Sequence, residues 1–233
     1  DAAGNPAFIP RRALLAEDKV AFVGQAIAVV VAESTEAADD ACELIQLDVE
    51  DIAANPLPAL ALDPDTPVIH PEHGSNLCVH YQIGDVSAVD EGLAKAQHVV
   101  EVELVNNRMV PSPLETRASV GVYEEGQYLL YNPSQGAVAQ KGVLADAILK
   151  VDSEAVRVVS LDTGGGFGVR GEVHPEAALC LVAAKAIGRP VKYTSTRAEM
   201  FLADSHGRDN LTTVTGGFDA DGKLQAVRVE TIA

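Results

Sequence analysis

Cations are scarce in this sequence. Lys and Arg number 17 against 34 Asp and Glu in 233 residues, a formal charge of −17. Such a surface repels nucleic-acid phosphates and anionic lipid, so neither is an expected partner. Long apolar runs are also missing. Ala26 to Ala32 is strand-sized and Ala177 to Ala184 is a piece of a helix, so no membrane span is expected. Cysteine is rare. Cys42, Cys78 and Cys180 stand far apart with no C-x-x-C, which argues for reduced thiols in a cytoplasm rather than a disulfide framework. The six histidines show no H-x-x-x-H or H-E-x-x-H spacing. His70 and His73 flank a Pro71-Glu72 turn and read as a surface loop rather than a zinc site. No serine has a G-x-S-x-G context, and no phosphate loop ends in Gly-Lys-Ser/Thr.

What is present is a globular composition, 47% hydrophobic and 22% charged. The length allows one large domain or two small ones. The sequence starts at Asp1 without a signal-peptide pattern and stops at Ile232-Ala233 in strand material, so it reads as a piece of something longer.

The most informative stretch is Val156 to Pro190. Val156, Val158, Val159 and Leu161 predict a buried strand. Gly164, Gly165, Gly166 and Gly168 then surround Phe167, and a helix is expected from Pro175 to the Gly188-Pro190 stop. Ala178, Leu181 and Val182 are its expected buried face. Glycines at such density suit backbone that must approach a ligand closely and point bare N–H groups at oxyanions. Gly166 to Gly171 is also a literal G-x-G-x-x-G, which leaves a nicotinamide-dinucleotide site as an alternative. Against it, Val173-His174-Pro175 delays the helix and no acid ends the next strand, Val191 to Ser195.

Residues 1–12 read as a loose lead-in. Val20 to Ala32 is strand material broken at Gly24-Gln25. Ser34 caps a helix with a stripe of Ala38, Ala41, Cys42 and Ile45, and Leu47 and Val49 return to a strand. The prolines between Asn55 and Pro71 forbid a continuous helix and favour extended chain. Ser87, with Asp90, is expected to cap the next helix. His98 to Val105 alternates as a half-exposed strand, with Val100, Val102 and Leu104 on one face. Hairpins are expected across Glu125-Gly126 and across Asp219 to Gly222. A helix with Leu144, Ala147 and Ile148 inward should reach Lys150, and Thr196 with Glu199 forms a capping box. Hairpins mixed with helices indicate an α+β fold.

Two turns could meet in this plan: Pro133-Ser134-Gln135-Gly136 and Gly164 to Gly168. If their strands are neighbours, they converge, and Gln135 could orient an oxo group or a bound water with an amide that both donates and accepts. Glu115, Glu172 and Glu176 are possible acids or bases, although such carboxylates are usually just solvated. Arg170 could offset an anion, although a lone Arg is more often a surface residue.

The ordered motifs resemble the molybdenum-binding large subunit of the xanthine dehydrogenase/aldehyde oxidase family, nearest to the aerobic carbon monoxide dehydrogenase branch. They are Val23-Gly24-Gln25-Ala26-Ile27-Ala28-Val29-Val30, Asn106-Asn107-Arg108, Pro111 to Arg117, Ser134-Gln135-Gly136, Asp162 to Gly168, Gly188 to Lys192, Arg197-Ala198-Glu199 and His206-Gly207-Arg208-Asp209. The resemblance implies a partial α/β hammerhead domain over residues 1–66, a linker over 67–75 and an incomplete first molybdopterin-binding domain of mixed sheet and helices over 76–233. It implies molybdenum held in molybdopterin cytosine dinucleotide. Gln135 would hydrogen-bond an oxo ligand, Gly165, Gly166 and Gly168 would present backbone, and Phe167 would add an aromatic wall. No direct metal ligand and no catalytic residue are implied in this stretch, so the chain alone should not turn over. The implied partners are an iron–sulfur subunit, an FAD subunit and the rest of the large subunit, arranged as a dimer of heterotrimers in the cytoplasm. The implied reaction hydroxylates a small molecule with oxygen from water. Val169-Arg170 departs from the Gly-Lys or Gly-Asn usual after the glycine turn. Glu172 lies one position away from a substrate-binding carboxylate of xanthine-oxidising members. A scaffold module that kept the fold is the third reading.

Overall fold

The computed structural model describes residues 6–233; the first five residues of the lead-in lie outside them. In chain order the elements are α1 (Thr35–Glu43), α2 (Val86–Lys95), β1 (His98–Asn106), β2 (Ala118–Glu124), β3 (Gln127–Tyr131) and α3 (Ala137–Gly142), which runs into a π-helical segment at Val143–Leu149. They continue with β4 (Val156–Val159), α4 (Pro175–Ile187), β5 (Val191–Thr194), α5 (Arg197–Ala203), β6 (Asn210–Phe218) and β7 (Leu224–Ile232). Helices beside two separate sheets make the fold α+β, as the hairpin pattern predicts. The chain divides into two compact units.

One unit joins the described residues up to Arg11 with Glu50–Met109 and Gly207–Ala233. Its sheet is antiparallel in the order β1-β6-β7. The β6–β7 turn is the expected one, closed where Asp219 Oδ1 accepts the N–H groups of Asp221 at 3.0 Å and Lys223 at 2.9 Å. Helix α2 lies against this sheet, with Gly92 on Ala226 and Leu93 on Gly217. Its cap is Asp85 rather than Ser87: Asp85 Oδ1 accepts from Ala88 N–H at 3.0 Å, and the helix starts two residues earlier. All nine residues of β1 are exposed. The alternation of Val100, Val102 and Leu104 therefore marks a face without burying it. Between Asn55 and Pro71 the chain forms no helix longer than the 3-10 turn Pro58–Leu60.

The second unit comprises Arg12–Val49 and Val110–His206. Its mixed sheet has the order β4-β3-β2-β5, with β3 and β4 parallel and the other pairs antiparallel. The β2–β3 turn uses Glu125 and Gly126, both at positive φ (49° and 83°), as a two-residue hairpin requires. The core gathers Tyr128 and Leu130 of β3, Val156 of β4, Leu144 and Ala145, and Ala177, Ala178 and Leu181 of α4. Pro175 opens α4 and Gly188, at φ 68°, closes it.

Four expectations change in this unit. Val182 is exposed, because at 3.6 residues per turn it sits about 100° round from Leu181, away from Ala177 and Ala184. The helix expected to reach Lys150 switches to π geometry at Val143, and the longer i→i+5 repeat turns Ala147 outward and brings Ala145 in. Val20 to Ala32, Leu47 and Val49 form no strand. A strand exists through a paired neighbour; this stretch has strand composition, but only scattered backbone bonds such as Ala16 N–H to Ala26 O at 2.7 Å. Ser34 does cap α1, accepting from Ala37 N–H at 3.2 Å, but Cys42 and Ile45 of its stripe stay exposed.

Candidate functional site

The parallel pairing of β3 with β4 sets Tyr131 beside Val159. Both strands therefore release the chain at the same sheet end, where ligands collect in α/β architectures. Asn132 N–H donates to Val159 O at 3.1 Å, and Ser134 N–H donates to Ser160 Oγ at 3.0 Å. The two turns meet.

Gln135 and the glycine turn are in direct contact. A Cβ on Gly166 would lie 2.5 Å from Gln135 Cδ and 2.7 Å from its Oε1, so any larger residue there displaces the Gln135 side chain from its place. Gln135 Oε1 accepts from Gly168 N–H at 2.9 Å and from Arg170 N–H at 3.2 Å. Gln135 N–H in turn donates to Arg170 O at 3.0 Å. Two backbone donors on one oxygen settle which way the carboxamide faces. Its oxygen faces the Gly168 and Arg170 N–H groups, and Nε2 is the group left to donate; it has no partner among the described residues. The N–H groups of Gly165, Gly166 and Phe167 are likewise unpaired among the described residues. Phe167 takes a positive φ of 52° and is 73% exposed.

The loop Pro111 to Arg117 is fastened to the same turn. Glu115 Oε2 accepts from Gly164 N–H at 2.8 Å, and Glu115 N–H donates to Gly164 O at 3.2 Å. Arg170 Nη2 donates to Glu115 O at 2.7 Å. Arg197 Nη1 donates to Pro113 O at 2.6 Å, and its Nη2 donates to Leu114 O. Arg117 then forms a buried ion-pair triad, Nε to Glu176 Oε1 and Nη1 to Asp204 Oδ1. Burial works against the Arg117 charge, but the two carboxylates outweigh it and leave its pKa above the usual value. Arg170 lies lower than usual, chiefly because burial strips its water. Desolvation also lowers His174, whose Nε2 lies 2.8 Å from Val169 O.

Arg170 is therefore not a surface residue. It is 2% exposed, with its guanidinium on the 111–117 loop and its peptide on Gln135. The three candidate carboxylates are occupied elsewhere: Glu115 on Gly164, Glu176 on Arg117, and Glu172 with Ser205 Oγ at 2.7 Å and Arg12 at 3.5 Å. The dinucleotide fingerprint also lacks its geometry. Val169–Gly171 is a 3-10 turn and α4 starts at Pro175, so no helix N-terminus opens inside the motif. Sequence reading missed Gln140, a buried amide on α3; its one signal is a glutamine in a helix whose next inward positions are Leu144 and Ala145.

Comparison with known proteins adds the following. A family model described as the molybdopterin cofactor-binding domain matches residues 69–233. The aldehyde oxidase and xanthine dehydrogenase a/b hammerhead domain matches residues 2–53. The large subunit of nicotine 6-hydroxylase from Paenarthrobacter nicotinovorans is 35% identical over 94% of this chain and 27% of its own length. The carbon monoxide dehydrogenase large chain of Afipia carboxidovorans is 30% identical over 95% of this chain and 29% of its own. The chain thus spans under a third of these relatives. The solved Cu,Mo-CO dehydrogenase superposes with a TM-score of 0.89 at 30% identity, over 94% of this chain and 29% of that one. Quinoline 2-oxidoreductase from Pseudomonas putida 86 gives 0.89 at 28% identity, over 97% and 28%.

Proposed function

The chain belongs to the aldehyde oxidase and xanthine dehydrogenase family and carries its molybdopterin cofactor-binding domain, and from that premise we propose that it is part of the large subunit of a molybdenum hydroxylase. The observation that carries the reading is the Gln135 carboxamide, held by Gly168 and Arg170 with its Nε2 directed away from them. Its donor set fits an oxygen-rich metal centre. Gln135 Nε2 and the N–H groups of Gly165, Gly166 and Phe167 are all donors without a partner among the described residues. Glu115, the acid in contact with the glycine turn, is turned onto Gly164 N–H and does not compete for them.

In this reading Gln135, through its free amide donor, and the backbone of Gly165, Gly166 and Gly168 would hold the oxygen-bearing face of the molybdenum centre, and the Phe167 ring would wall one side. When bound, the molybdopterin centre supplies two-electron oxidation with the inserted oxygen drawn from water. The protein residues named here bind and orient; we assign none of them a proton transfer, and the isolated chain is not expected to turn over. The pterin is assigned as the cytosine dinucleotide form. The partners are assigned as an iron–sulfur subunit and an FAD subunit, which would take up the electrons, within a cytoplasmic dimer of heterotrimers. Residues 1–66 are assigned to the hammerhead domain, 67–75 to a linker and 76–233 to the cofactor-binding domain.

The test is the composition of the subunit that carries this chain, purified from a molybdenum-sufficient host. Stoichiometric molybdenum, with cytidine monophosphate released by acid hydrolysis, is the expected result. A protein that folds and assembles with neither would overturn the reading.

A further inference from the structure

Gln140 stands out among the buried side chains. It is 1% exposed and sits on α3, five residues beyond Gln135. A glutamine is seldom fully buried, and burying an amide is unfavourable unless its polar atoms are bonded. Here they are. Asn132 Nδ2 donates to Gln140 Oε1 at 3.0 Å, and Ser119 Oγ donates to Asn132 Oδ1 at 2.7 Å. Gln140 Nε2 donates to Arg170 O at 3.1 Å and to Glu172 O at 2.7 Å.

The targets of those last two bonds are what matter. Arg170 O also receives Gln135 N–H, and Arg170 N–H fixes Gln135 Oε1. The Arg170 backbone thus grips Gln135 by both its main chain and its side chain, and Gln140 holds the Arg170 carbonyl from α3. We propose that Gln140 is a positioning residue, and that the relay Ser119–Asn132–Gln140 sets the direction in which the Gln135 amide donates. Its importance for cofactor binding rests on the function proposed above; the geometric claim does not.

The experiment uses the 233-residue chain, uniformly 15N-labelled and without cofactor. In wild type, the bonds to Gln135 Oε1 should slow hydrogen exchange at Gly168 N–H and Arg170 N–H, and the Gln135 side-chain NH2 should give a resolved pair. Gln140→Met keeps the volume and removes every polar atom. It should speed exchange at Gly168 and Arg170 roughly tenfold, the loss expected for about one net hydrogen bond, and move the Gln135 NH2 pair. The Leu130 amide in the core should keep its protection. Gln140→Glu provides a signature that packing alone does not. Protonated, it can still donate to a carbonyl; ionised, it repels both. The Gly168 and Arg170 resonances should then titrate in that variant and stay flat in wild type. Ser119→Ala removes one hydroxyl at the far end of the relay and should shift the same resonances less, which decides the matter if Gln140→Met does not fold. Folded variants in which Gly168, Arg170 and Gln135 behave as in wild type would overturn the proposal. If these shifts appear but the purified subunit lacks molybdenum, the positioning role stands and the functional reading falls.

Discussion

Replacing Arg117 by Met should be the most damaging single change near the site. The guanidinium is held by Glu176 and Asp204, and the side chains of Arg117, Glu176 and Asp204 are 5%, 13% and 0% exposed. Methionine fills the aliphatic volume but leaves two carboxylates without their counter-charge. Asp204 suffers most, since its Oδ2 already lacks a partner. Removing one partner from a buried ion pair typically costs about 3–5 kcal/mol. That is a large part of the roughly 5–15 kcal/mol that holds an ordinary domain together. In urea the midpoint should fall by about 1–2 M, given typical slopes for chains of this size. Arg189→Met makes the control, because its pair with Glu33 is 68% and 88% exposed and should leave the midpoint where it was. An Arg117→Met midpoint as close to wild type as the control's would refute this reasoning.

Three further outcomes are expected. Gly166→Ala should fold, with a loss of only about 1 kcal/mol in thermal unfolding, because its new methyl meets the movable Gln135 side chain; its molybdenum content should nevertheless fall. The Cys180 thiol, pushed up to about 12 by burial, should resist a disulfide reagent in the native chain, while the exposed Cys42 and Cys78 react. His174, held below its ordinary pKa by desolvation, should make the chain less stable as pH drops below roughly 6.5, because the unfolded state protonates first. His174→Gln should flatten that slope of stability against pH.

The parts of this fold that sequence revealed were set by neighbours in the chain. Glu125-Gly126 and Asp219 to Gly222 specify their turns through local backbone preference. Thr196 and Glu199 form their capping box within one helical turn, at 3.2 and 2.6 Å. The meeting of Gln135 with the glycine turn was legible conditionally, since it needed β3 and β4 to be neighbours, and they are. What stayed hidden depended on distant partners. Nothing around Arg170 signals that its guanidinium is buried against Glu115, 55 residues away in sequence. Gln140 looks like any polar helix residue until Asn132 and the Arg170 and Glu172 carbonyls surround it. The Val20 to Ala32 stretch has strand composition, but pairing, not composition, makes a strand.

The central claim is that the glycine turn aims the Gln135 amide at an oxo group of molybdenum. Electron paramagnetic resonance of Mo(V) in the purified subunit, wild type against Gln135→Ala, tests it most directly. The account predicts a molybdenum signal in wild type whose g-values shift once the amide donor is gone. Identical spectra from equally loaded proteins would contradict it.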